Sequence, residues 1–122
     1  MKQITIITGG RATGKSTLAD ILLKDKKYTQ INSRDLESPF MRIKKDSDFL
    51  FIDEVAFDDD VIMRIRQILR NGRIEFERPQ KPKFTIHNIK FLLVSNSPIS
   101  NRVVNKLTDR GNIKFDHFQL TR

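Results

Sequence analysis

The 122-residue chain has no cysteine, which excludes disulfides and thiolate-ligated metal centres. Its two histidines, His87 and His117, stand apart from each other and from any partner at metal-ligand spacing, so no chemistry is assigned to them. Long apolar runs are also missing. The first one spans only a few residues and ends in glycine, which is too short for a signal peptide or a membrane span, so a cytoplasmic protein without membrane contact is expected. No linker-like or repeated segment interrupts the chain, and its length suits one domain over residues 1–122. Acidic residues are the minority charge, 15 against 23 Lys and Arg, for a net charge of +8. The excess is local: from Arg64 to Lys90 eight basic residues face only Glu75 and Glu77. Such a segment attracts a polyanion or serves as a solvated basic surface.

Glycine is scarce as well, yet three of the five glycines fall within six residues. Gly9-Gly10-Arg11-Ala12-Thr13-Gly14-Lys15-Ser16 fits G-x-x-x-x-G-K-[ST], and it follows the apolar run Ile4-Thr5-Ile6-Ile7-Thr8. Glycines 9, 10 and 14 permit backbone angles that turn successive N–H groups inward on a polyphosphate. A helix starting near Lys15 adds the positive end of its dipole. Its face is Leu18, Ala19, Leu22 and Leu23. In this setting Lys15 reaches the β- and γ-phosphates of ATP, Ser16 is a Mg2+ ligand, and Thr17 adds a second hydroxyl.

After a weak second strand at residues 28–32, Ser38-Pro39 argues against a long helix, and Phe40, Met41 and Ile43 read as core. Phe49-Leu50-Phe51-Ile52 shows no alternation, as expected of a parallel strand covered on both faces. It ends in Asp53-Glu54, an acidic pair that suits metal binding by Asp53 and water activation by Glu54, or else a helix cap. Asp58, Asp59 and Asp60 cap a helix with the inward face Val61, Ile62, Ile65, Ile68 and Leu69, which leaves Arg66, Arg70 and Arg73 outward; Asn71-Gly72 ends it. Two alternating stretches, residues 73–77 and 83–87, flank Arg78-Pro79-Gln80-Lys81-Pro82 and read as a β-hairpin with a basic tip. Arg78, Lys81 and Lys83 are its candidate nucleic-acid contacts. The buried strand at residues 90–94 runs into Ser95-Asn96, where Asn96 orients the lytic water or caps a turn. A helix at 101–108 and an edge-type strand at 113–120 complete a three-layer α/β/α architecture with a mainly parallel sheet of about five strands.

This order of parts resembles the AAA+ ATPases, and within them the superfamily 3 helicases of small viruses and phages. The likeness rests on the phosphate loop, on Asp53-Glu54, on Gly72 followed by the hairpin lysines Lys81 and Lys83, and on Ser95-Asn96. It implies magnesium-dependent ATP hydrolysis, single-stranded nucleic acid as partner, and assembly into a homo-oligomeric ring such as a hexamer. It also implies an arginine finger that completes the neighbouring subunit's site, with Arg110 first and Arg102 second in position. The helical lid and accessory domain found in many such proteins have no counterpart in residues 1–122. A small-molecule kinase with Arg64 to Arg78 as its lid, or a nucleotide-gated nucleic-acid-binding module with little turnover, would use the same loop.

Overall fold

The computed structural model describes residues 2–33, 36, 47–71, 73–78, 81–87, 89–109 and 113–121, with the backbone alone at 2 and 71 and over 73–78 and 81–87. The elements run β1 (Lys2–Thr8), α1 (Lys15–Leu23), β2 (Tyr28–Ile31), β3 (Phe49–Ile52), α2 (Asp59–Asn71), β4 (Arg73–Arg78), β5 (Lys81–His87), β6 (Lys90–Ser95), α3 (Asn101–Thr108) and β7 (Ile113–Gln119). Five strands form one sheet in the order β2-β3-β6-β1-β7, every neighbouring pair parallel, and β4 and β5 form a separate antiparallel hairpin.

The helices lie on both faces of the sheet, which explains why the central strands carry no polar alternation. Ile4 and Ile6 of β1, Leu50 and Ile52 of β3, and Phe91 and Leu93 of β6 are buried with Val61, Ile65 and Leu69 of α2 and with Val103 and Leu107 of α3. The intervening residues Ile7, Phe51, Leu92 and Val94 are buried against Ala19 and Leu23 of α1. A strand that packs on both sides needs apolar side chains at every position. Among the described residues strand β7 has only β1 beside it, and its half-buried Ile113 and Phe115 alternate with exposed Lys114, as expected for an edge.

The expected faces of α1 and α2 are the observed ones, and Asp58 caps α2 by accepting from Val61 N–H at 2.9 Å. Arg66 faces outward as expected, 31% exposed, and there it pairs with Asp109 at 2.8 Å. One detail differs: the hairpin strands extend further into the tip than residues 77 and 83, so Arg78 and Lys81 are paired and Pro82 lies inside β5. A proline is tolerated there because Pro82 falls at the register shift between the Phe76–Phe84 and Arg78–Lys81 pairs, outside the regular ladder. Phe40, Met41, Ile43, Gly72, Pro79, Gln80 and Arg110 lie outside the described residues.

Candidate nucleotide-binding site

Parallel register brings three strand ends to one edge of the sheet. Thr8, the last residue of β1, is paired with Ser95 of β6 on one side and with Gln119 of β7 on the other, while Ile52 of β3 is paired with Leu93. The loop at 9–14, the Asp53-Glu54 pair and Asn96 therefore leave the same edge, on strands β1, β3 and β6. With strands about 4.8 Å apart, β3 lies about 10 Å from β1, a span that a triphosphate and its metal can bridge.

Within the loop, Gly9 and Gly14 need to be glycine for different reasons. A Cβ on Gly9 would lie 2.7 Å from Thr13 Oγ1 and 2.8 Å from the carbonyl oxygen of Leu120, so the obstacle is contact. Gly14 has open space around it but a φ of 88°, which only glycine adopts without strain. Gly10 has neither constraint. Its carbonyl instead accepts from Thr13 Oγ1 at 2.8 Å and from the Lys15 ammonium, so the loop closes on itself through its main chain. Ala12 also lies in the left-handed region, at φ 59°.

Helix α1 starts at Lys15 with Gly14 as its cap, without a side-chain cap and without an acid in its first turn. The other two helices start with caps from Asp58 and Ser100. Uncapped N–H groups and an unneutralised dipole suit an incoming anion. Lys15 is buried to 9% exposure at this point, and Ser16 and Thr17 are exposed beside it.

Asp53 and Glu54 are exposed beyond β3. The chain bends sharply between them: Glu54 has φ 55°, its N–H donates to Asp53 Oδ1 at 2.9 Å, and the next N–H, of Val55, donates to Val94 O at 2.8 Å. Val55 is thereby drawn back into the core, while both carboxylates stay outside it. Across the edge, Ser95 is buried and its Oγ accepts from Ser97 N–H at 3.2 Å, which leaves Asn96 as the exposed side chain at the tip of β6. Ser16 and Asp53 offer hard oxygen donors, the ligand type magnesium takes, and magnesium uses few protein ligands because phosphate and water supply the rest. Among the described residues no three His, Asp or Glu side chains cluster as a metal site of their own.

Not every candidate joins this edge. Arg102 and Lys106 of α3 both reach Asp59 of α2, at 3.5 Å each, so Arg102 is engaged in a helix-to-helix ion pair. The backbone bearing Arg78, Lys81 and Lys83 belongs to the hairpin, apart from the main sheet. Two contacts had no sequence signal because their partners are more than a hundred residues apart: Leu120 against Gly9, and His117 Nε2 hydrogen-bonded to Thr8 Oγ1 at 2.8 Å. His117, given no role from the sequence, thus ties β7 to the end of β1.

An all-parallel sheet in this order, with a glycine-rich loop between its first strand and helix, defines a P-loop NTPase fold. Solved structures bear this out. The C-terminal region of NrS-1 is similar with a TM-score of 0.64 at 19% identity, over 97% of this chain and 29% of that one. JCV helicase is similar with a TM-score of 0.66 at 15% identity, over 98% of this chain and 36% of the other. NtrX from Brucella abortus, in complex with ADP, has a TM-score of 0.61 at 13% identity, over 98% of this chain and 32% of that one. The chain thus spans about a third of the length of these structures. A family model matches residues 7–110, and the chain belongs to that family, one of unknown function designated DUF5906. No curated protein matches it. Among the described residues no helix is long and apolar enough to cross a membrane.

Proposed function

We propose that the chain is the ATP-binding and ATP-hydrolysing core of a helicase-like ATPase that acts on single-stranded nucleic acid. The observation that carries the reading is the convergence of the phosphate loop, Asp53-Glu54 and Asn96 on one sheet edge, beside a helix start that lacks both cap and acid.

On this reading the N–H groups of residues 9–14 and the start of α1 hold the phosphates, and Lys15 exchanges the Gly10 carbonyl for β- and γ-phosphate oxygens. Arg11, Ala12 and Thr13 shape the crown of the loop, with Thr17 beside Ser16. The Ser16 hydroxyl and the Asp53 carboxylate hold magnesium, which neutralises phosphate charge when bound. Glu54 takes the proton of the attacking water, and Asn96 orients that water. Arg110 of one subunit completes the site of the next in a homo-oligomeric ring, with Arg102 as the second candidate. Arg78, Lys81 and Lys83 of the hairpin meet nucleic-acid phosphates. Residues 1–122 form the ATPase domain.

The test is steady-state phosphate release from ATP and magnesium, with no acceptor substrate, at rising protein concentration and with added single-stranded DNA. Turnover per subunit is expected to rise under both conditions and to vanish in Lys15→Ala. A rate that stays flat under both counts against ring assembly, and phosphate transfer that needs an acceptor points to a kinase.

A further inference from the structure

The exit of β7 lies on the flank of β1 opposite the acids. Strands β6 and β3, with Asn96 and Asp53-Glu54, stand to one side of the phosphate loop, and among the described strands β7 is the sole neighbour on the other. Pairing continues past the strand, since Leu120 N–H donates to Thr8 O at 2.8 Å. Leu120 then approaches Gly9 so closely that a Cβ there would lie 3.2 Å from the Leu120 Cβ. Two residues earlier, Phe118 is paired with Ile7 and shares with Leu120 the sheet face covered by α1. Phe118 is 39% exposed, one of four large apolar side chains left open to solvent among the described residues.

We infer that Phe118 and Leu120 form the platform for the nucleobase of the bound nucleotide. The inference rests on the ATP-binding reading above and supplies what that reading lacks, a place for the base. Hydrolysis requires the γ-phosphate to face Glu54 and Asn96, so the α-phosphate, ribose and base extend away from β6 and β3. In that direction the loop meets the exit of β7. An aromatic ring at an open sheet edge, with an aliphatic side chain two positions on, offers the flat apolar surface on which a purine stacks. Because stacking uses the face of the base and not its hydrogen-bonding edge, this platform favours purine nucleotides over bare polyphosphate without strong choice between adenine and guanine.

The chain contains no tryptophan, so Phe118→Trp introduces a single reporter. Its emission is expected to be quenched by ATP and ADP in magnesium buffer and left unchanged by inorganic triphosphate. In calorimetry, Phe118→Ala is expected to bind ATP about ten-fold more weakly and inorganic triphosphate with wild-type affinity. Unaltered ATP affinity in Phe118→Ala, an equal loss for both ligands, or no quenching in Phe118→Trp overturns the platform while leaving the phosphate site intact. Should wild-type protein bind neither ligand, or Lys15→Ala bind both as wild type does, the ATP-binding reading itself fails. If Phe118→Ala does not fold, the Phe118→Trp titration decides alone.

Discussion

The main-chain N–H of Glu54 donates to Oδ1 of Asp53 at 2.9 Å while Glu54 itself holds a φ of 55°. A non-glycine residue in the left-handed region carries a cost of about 1–2 kcal/mol, and here it sits on the proposed general base. The bend turns the chain out of β3 and lets Val55 return to Val94, so the strain is the means by which two consecutive carboxylates stay at the sheet edge.

This makes stability and activity separable at one position. Glu54→Gln is expected to retain ATP binding and lose turnover by about 10²–10⁴-fold. Glu54→Gly is expected to match or exceed Glu54→Ala in stability, by up to about 1 kcal/mol, because relief of the left-handed strain outweighs the entropy of glycine in the unfolded chain. Urea denaturation of both variants checks the order, and alanine proving the more stable would refute the bend.

Two adjacent glycines should respond differently to the same added methyl group. Gly9→Ala pushes a Cβ against the backbone of Leu120 and is expected to cost about 1–3 kcal/mol. Gly10→Ala meets nothing within 4 Å and should stay within about 0.5 kcal/mol of wild type. Thermal melts of the two variants side by side test the loop geometry without any ligand.

The ion pair between Arg66 and Asp109 links α2 to the end of α3, but both side chains are substantially exposed, at 31% and 45%. Solvent screening therefore limits its worth, and Arg66→Ala is expected to cost less than about 1 kcal/mol. The difference from wild type should shrink further in concentrated salt, as denaturation at low and high ionic strength would reveal.

Action of Arg110 across a subunit boundary predicts complementation. Arg110→Ala and Glu54→Gln, each inactive alone, are expected to regain turnover on mixing, because some interfaces then pair an intact Glu54 with an intact Arg110. A finger of this kind is worth about 10³–10⁵ in rate, so the recovery stands well above either background. Mixtures as inactive as their components would place the arginine's action within its own subunit, or nowhere.

The apolar run before Gly9 was legible as a strand, the one ending in Asp53-Glu54 as a buried parallel strand, and the phosphate loop as a loop, since each depends on neighbouring residues alone. The inward faces of α1 and α2 followed from helical spacing for the same reason. The outward position of Arg66 was legible, but its partner Asp109 was not, because which element an outward side chain meets depends on where that element packs. The length of the hairpin strands was misjudged at Pro82, since a proline is compatible with a strand where the register shifts and no ladder partner faces it.

Residue order within short segments thus determined the kind of each element and the chemistry each strand end could carry, because hydrophobic period, glycine freedom and charge are local properties. Which strand lies beside which was decided by packing of the whole chain. Only the order β2-β3-β6-β1-β7 sets Asn96 and Asp53-Glu54 on one flank of the phosphate loop and Phe118 and Leu120 on the other. Adjacency of that sort follows from burying both faces of a sheet at once, and no stretch of sequence encodes it alone.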